Sequence, residues 1–215
     1  KGDVVKLFDS GWGAYPVGHD EAHQRTTLVE GYSNGDMTLF LALPDVAPVV
    51  LYGKPMAERA AGEDVPLNGI SAALFSPSGA GLLIQSSIDD DAYGPGYMSL
   101  AEPQVVRPVA VIGLRHDGLG ELEAIEHLSG DHFSLRYNID GSSWLYEAAF
   151  DETKLELKVT AVFCGLAPLA DGVLDHADFD KTGDQWVLAH STATSPTQIY
   201  TVEGRDRRIV KRHTQ

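Results

Sequence analysis

Cysteine, positive charge and long apolar runs are all scarce in this chain, and each scarcity removes a class of protein. One of its 215 residues is a cysteine, Cys164. No internal disulfide framework is therefore possible, and the setting Val162-Phe163-Cys164 reads as a buried thiol. A lone thiol fits a reducing compartment, and a cytoplasmic location is the matching expectation. Lysine and arginine number 16 against 31 acidic residues, a formal net charge of −15. That balance argues against nucleic acid as a partner, because phosphate backbones are gripped by basic stripes. The local basic cluster Arg205, Arg207, Arg208, Lys211 and Arg212 reads as a solvated strand paired with acids elsewhere. No run of 18 apolar residues occurs, so no membrane-crossing helix is expected. The opening KGDVVKLFDSG lacks the pattern of a signal peptide. The chain starts at Lys1 and not at methionine, as expected of a piece cut from something longer. Helical periodicity is nearly missing too, and residues 55–61, PMAERAA, are the one helix-like stretch.

What is present begins with enough apolar residues to fold, 43 % of the total, in a length that suits one domain or two small ones. The stretch Gly31-Tyr32-Ser33-Asn34-Gly35 fits the G-x-S-x-G pattern that places a nucleophilic serine on a strand-to-helix turn. The pattern needs a helix after the serine. Here a short apolar run follows, Met37 to Leu43, and then Pro44-Asp45. Asn34-Gly35 between two apolar runs is also the strongest short-range signal for a hairpin with a type I′ turn, in which both central residues take positive φ.

An internal repeat decides between the two readings. TLVEGYSNGDMTLFLALPD, LLIQSSIDDDAYGPGYMSLAEP, FSLRYNIDGSSWLYEAAFDE and WVLAHSTATSPTQIYTVEG each give a strand, a small polar stretch, a turn and a second strand. Their markers Leu28, Leu83, Leu135 and Leu188 stand 55, 52 and 53 residues apart. Ser33 then shares its place with Ser87, Asn138 and Ser191, where no elbow forms, so GYSNG reads as a hairpin. Further strands flank each hairpin, at 70–75, 122–128 and 173–179 before it and at 46–52, 105–112, 155–163 and 207–212 after it. Four short antiparallel strands in about fifty residues cannot bury both faces alone, and radial stacking of such sheets is a β-propeller. The expected fold is therefore all-β, with about four blades at 9–53, 69–113, 119–165 and 171–213. Residues 1–8, with a Val-Lys pair like that of RRIVKRHT, read as the last strand of a preceding blade. The first copy is the weakest, its opening strand falling near 12–19 without the Ser/Gly turn of the others. Phe40, Tyr97, Trp144, Tyr146, Trp186 and Tyr200 occupy strand positions, where packing between blades is their ordinary role.

Two segments carry a resemblance to a family. Phe75-Ser76-Pro77-Ser78-Gly79 has the strand-S-P-x-G form frequent in propeller repeats. The segment from His190 through Ser191, Pro196, Ile199 and Tyr200, followed by RRIVKRHT at 207–214, resembles the last part of the N-terminal propeller of prolyl oligopeptidase family serine peptidases, especially the acylaminoacyl-peptidase branch. The close likeness covers about 25 residues. It implies a non-catalytic propeller of seven or eight blades, of which about four are present, that caps an α/β-hydrolase domain and restricts access to short peptides. The triad-bearing domain would begin after Gln215, so the resemblance assigns no catalytic residue to this chain. The implied partners are that hydrolase domain and short peptide substrates. Self-association through uncovered blade edges is a further expectation.

The remaining candidates reduce to bland readings. Asp89-Asp90-Asp91 offers oxygen ligands but lacks the twelve-residue calcium-loop spacing, and reads as a solvated hairpin tip. The eight histidines, His19, His23, His116, His127, His132, His176, His190 and His213, form no zinc signature. His127 and His132 flank the Gly130-Asp131 turn, where inter-strand polar contacts are the expectation over zinc. Ser33, Asp20 and either His19 or His23 would make a nucleophilic triad only if the fold brought them together. No cofactor, metal or catalytic residue is assigned. Besides the peptidase propeller, two readings stay open, a stand-alone binding or scaffold propeller and a hydrolase that uses Ser33.

Overall fold

The computed structural model describes residue 4 and residues 6–203 and 209–214. The chain falls into two compact units, Lys1–Val109 and Ala110–Gln215. Each holds two sheets built on a four-stranded antiparallel meander in chain order, one of which, in the second unit, gains a fifth, parallel strand.

The first unit contains β1 (Ala14–His19), β2 (Thr26–Ser33), β3 (Asp36–Leu43) and β4 (Val46–Tyr52), then β5 (Ile70–Phe75), β6 (Gly81–Ser86), β7 (Gly94–Ser99) and the two-residue β8 (Arg107–Pro108). Alternation along the strands sends Val29, Leu39 and Leu51 of one sheet and Ile70, Ala73, Leu82, Ile84 and Met98 of the other into one shared core. Burying each of these larger side chains contributes about 1.5–3 kcal/mol. Thr27 Oγ1 donates to the Ala73 carbonyl at 2.7 Å, tying β2 to β5 in a fully buried position.

The second unit contains β9 (Ala110–Ile112), β10 (Gly120–Ser129), β11 (His132–Ile139), β12 (Ser142–Asp151) and β13 (Glu156–Cys164), then β14 (Gly172–Asp180), β15 (Gln185–Thr192), β16 (Ser195–Glu203) and β17 (Ile209–Arg212). Its core joins Leu128, Leu145, Phe163 and Cys164 to Leu174, Trp186, Leu188 and Val202. Trp186 lies between Phe163 and Phe179, with ring centroids 5.4 and 5.3 Å away. The Leu174 N–H donates to Ser143 Oγ at 3.0 Å and links β14 to β12.

The markers Leu28, Leu83, Leu135 and Leu188 lie on the second strand of each sheet, and all four are buried. Three readings from sequence differ from the structure. Residues 105–112 are not one strand: β8 pairs antiparallel with β7, whereas β9 pairs in parallel with β13 and gives that sheet a fifth strand. Residues 55–61 form no α-helix; only Met56–Glu58 make one turn of 3₁₀-helix. Residues 1–8 read as the last strand of a blade outside this chain, which nothing within it tests; Phe8 packs its ring on Phe40 at 4.9 Å, and Lys1, Gly2, Asp3 and Val5 lie outside the described residues. The basic cluster is described for Lys211 and Arg212 of β17, while Arg205, Arg207 and Arg208 lie outside the described residues, as does Gln215.

The third difference concerns turn chemistry. Ser33 pairs with Asp36 across a two-residue loop, so Asn34-Gly35 does close a hairpin. Neither residue takes positive φ, and a bulge between Gly31 and Ser33 precedes the turn. The geometry expected there occurs instead at Asp140-Gly141, with φ of 48° and 83°, where Ile139 pairs directly with Ser142.

Candidate functional site

The fold separates the residues that sequence alone would allow to form a triad. His19 pairs with Thr26 at one end of β2, whereas Ser33 stands at the other end of that strand. Seven residues of strand separate them by roughly 20 Å. The His19 ring stacks on His23 at 4.5 Å. Asp20 is committed locally: its carboxylate accepts from the Gln24 and Arg25 backbone N–H groups and from Arg25 Nε at 2.9 Å. Burial would raise its pKa, but these bonds, led by the Arg25 N–H, hold it below the usual carboxylate range. β3 follows Gly35 where an elbow needs a helix. Ser33 is exposed, His19 stands at the far end of β2 from it, and the Asp36 opposite it is held by Arg59, so the triad does not assemble.

Around Ser33 the structure builds a feature that no sequence motif marks. Residues 53–68, between β4 and β5, close over the tip of the β2–β3 hairpin. Arg59 anchors them. Its guanidinium donates to both carboxylate oxygens of Asp36, at 2.6 and 2.8 Å. Its Nε and Nη2 donate to the Lys54 carbonyl, at 2.9 and 2.6 Å, and the cation lies 4.8 Å from the Tyr32 ring centroid. Tyr32 Oη donates to Glu30 Oε2 and accepts from the Met56 N–H at 2.9 Å. Burial, and then the Glu30 bond, push the phenol above its ordinary range. Lys54 pairs with Glu63 at 2.6 Å. Asn68 closes the segment by donating its N–H to the Gly35 carbonyl at 2.7 Å and accepting from the Met37 N–H at 2.8 Å.

A cavity of about 550 Å³ lies beneath this segment, lined by Ser33, Asp36, Arg59, Glu63, Asp64 and apolar groups including Met56, Val65 and Leu67. A second of about 300 Å³ shares Asp36 and Arg59 and adds Tyr52 and Gln104. The first falls inside the size range of small-ligand sites and the second at its lower limit. Arg59 spends four of its five N–H donors on Asp36 and the Lys54 carbonyl, and Lys54 donates to both Glu63 oxygens, so both cations are engaged in holding this segment. The sequence signals were Asp36 just past the turn and the charge-rich ERAAGED, whose pairing across 23 residues is invisible to periodicity.

The other candidates fall on structural contacts. His127 Nε2 meets the Gly130 carbonyl at 3.0 Å and His132 Nδ1 meets Glu147 at 2.7 Å, so the two rings serve different partners. Among the described residues no three His, Cys, Asp or Glu side chains gather as a metal-binding group. Asp89-Asp90-Asp91 lies between β6 and β7 and is exposed at all three positions. His116 joins an aromatic cluster: its Nδ1 is 2.8 Å from Tyr146 Oη, and Tyr137 and Trp144 lie within ring contact. Burial lowers the His116 pKa and raises those of Tyr137 and Tyr146. Cys164 is wholly buried and burial pushes its thiol up to about 12, which leaves it un-ionised at neutral pH. Among the described residues no helix is long and apolar enough to cross a membrane.

No protein-family model matches the chain, and no curated protein matches its sequence. Solved structures do resemble it. A structure from an analysis of two prolyl endopeptidases superposes on 92 % of this chain with a TM-score of 0.62 at 13 % identity. Prolyl oligopeptidase B from Galerina marginata covers 91 % with a TM-score of 0.61 at 15 % identity. TolB from Acinetobacter baumannii covers 97 % with a TM-score of 0.57 at 15 % identity. The fold class these likenesses define, together with the four meanders, is the β-propeller. This chain spans 25 % and 26 % of the length of the two peptidase chains and 45 % of the TolB chain.

Proposed function

We propose that this chain is the non-catalytic propeller portion of a prolyl oligopeptidase-type serine peptidase, in the acylaminoacyl-peptidase-like branch, that packs on an α/β-hydrolase domain and gates the entry of short peptides. The observation that carries the reading is the superposition on two prolyl oligopeptidase chains over more than nine-tenths of this sequence. The His190–Tyr200 segment, which prompted the resemblance, forms the β15–β16 hairpin of the last sheet. The separation of Ser33 from His19 supports a chain without chemistry of its own. Self-association through blade faces that further blades would cover belongs to the same reading.

The experiment is expression of the complete gene beside residues 1–215. A coding sequence that continues into G-x-S-x-G, then an aspartate and a histidine, and a product that hydrolyses short blocked peptides while 1–215 does not, supports the proposal. A second reading, a propeller that binds a partner without any hydrolase domain, draws on the TolB likeness, which covers 97 % of the chain. A complete gene without a hydrolase segment favours it over the first.

A further inference from the structure

The chain contains the dipeptide Asn-Gly twice, at Asn34-Gly35 and Asn68-Gly69, and the fold treats the two in opposite ways. Glycine after asparagine leaves the next backbone nitrogen without a flanking β-carbon, so that nitrogen approaches the asparagine side chain with little hindrance. Whether the approach happens then depends on exposure and on whether either group is already hydrogen-bonded.

Asn34 is exposed and lies with Gly35 outside the ladder, which closes at Ser33 and Asp36. Neither the Asn34 side chain nor the Gly35 amide has a hydrogen-bond partner in the structure. Asn68 is 5 % exposed. Its Oδ1 is held by the Met37 N–H, its own N–H by the Gly35 carbonyl, and the Gly69 N–H is spent on Ser87 Oγ at 3.1 Å. The third asparagine, Asn138, precedes the branched Ile139 and is engaged with Glu123 and the Gly141 N–H.

We propose that Asn34-Gly35 is a modification site that converts spontaneously, with water as co-reactant, to aspartate and isoaspartate, while Asn68-Gly69 is protected by the fold. The Gly35 nitrogen attacks Asn34 Cγ and forms a new C–N bond. The bond from Cγ to the side-chain nitrogen breaks, and ammonia leaves with the proton lost by Gly35, giving a cyclic succinimide. Water then opens either carbonyl. Attack at Cγ restores the ordinary backbone as aspartate, whereas attack at the main-chain carbonyl leaves the chain running through Cβ and Cγ as isoaspartate. Both products place a new carboxylate two residues from Asp36, and the second adds a carbon to the backbone of the turn. The Gly35 carbonyl, which accepts the Asn68 N–H, moves with it. Conversion at one Asn-Gly therefore loosens the segment that shields the other.

The test is peptide mapping of residues 1–215 after incubation at mildly alkaline pH, with isoaspartyl methyltransferase labelling to distinguish the products. In the folded chain conversion at Asn34 is expected to exceed that at Asn68 by at least about tenfold, since Asn68 must wait for local opening. In denaturant the two rates converge. Gly35→Ala, whose added carbon meets only Leu67 at ordinary contact distance, is expected to slow Asn34 and leave Asn68 unchanged. Hydrogen exchange at the Asn68 amide is expected to speed up in converted protein. Equal rates at both sites in the folded chain, or a folded Asn34 that stays intact while the denatured chain reacts, would overturn the proposal.

Discussion

Arg59 and Asp36 meet through two parallel N–H···O bonds of 2.6 and 2.8 Å, with side chains only 7 % and 20 % exposed. This contact fixes residues 53–68 over the β2–β3 hairpin and gives the cavity beside Ser33 its wall. Arg59→Met keeps much of the stem packing on Tyr32 but leaves the Asp36 carboxylate and the Lys54 carbonyl without their donors. A loss of about 2–3 kcal/mol is expected. Arg59→Lys should recover little, because an ammonium does not reproduce the fork. Urea denaturation of the three proteins checks the order, and wild-type stability in Arg59→Met would contradict it.

Gly141 and Gly35 separate two kinds of turn glycine. Gly141 sits at φ 83° after Asp140 at 48°, so Gly141→Ala is expected to cost about 1 kcal/mol. Gly35 lies outside the left-handed region, and Gly35→Ala should be close to neutral. Thermal unfolding of both variants decides, and the reverse ranking would place the type I′ turn at Asn34-Gly35 after all.

His190 is expected to make the last sheet acid-sensitive. Its ring is 3 % exposed, lies between Leu174 and Gln198 on the neighbouring strands, faces Tyr200, and has its Nε2 against Gly172 with no hydrogen-bond partner. Burial lowers its pKa, and the Asp175 charge opposes that only in part. The unfolded chain therefore takes up the proton first. The stability contribution is complete above the ordinary imidazole value of about 6.5 and is lost as pH falls below it through the depressed folded pKa. His190→Leu is expected to flatten the fall in urea midpoint between neutral pH and about pH 5. A variant as acid-sensitive as the wild type would exclude His190 as the cause.

Strand identity was legible in the sequence wherever period-two alternation met a repeat. Leu28, Leu83, Leu135 and Leu188 mark buried positions because each repeat must bury the same face against a neighbour. Three things escaped for one shared reason, that the deciding partner is far away in sequence. Residues 105–112 look like one apolar strand, and only the edge of β13 makes Ala110–Ile112 turn to a new sheet. Residues 55–61 have helical composition, yet the Arg59 contacts to Asp36 and to the Lys54 carbonyl favour an irregular loop. Asn34-Gly35 has type I′ chemistry, but it takes another geometry, with a bulge in β2 before it and the Asn68 N–H on the Gly35 carbonyl. The candidate site itself was hidden, since none of its pairings follows a local period.

The central claim is that this propeller carries no nucleophile of its own and serves one elsewhere in a longer product. The most direct measurement is mass spectrometry of the product of the complete gene after treatment with an active-site serine phosphonate. The expected result is one adduct, on a serine downstream of Gln215, with the peptide that contains Ser33 unmodified. Labelling at Ser33, or a complete product in which no serine is labelled, would contradict it.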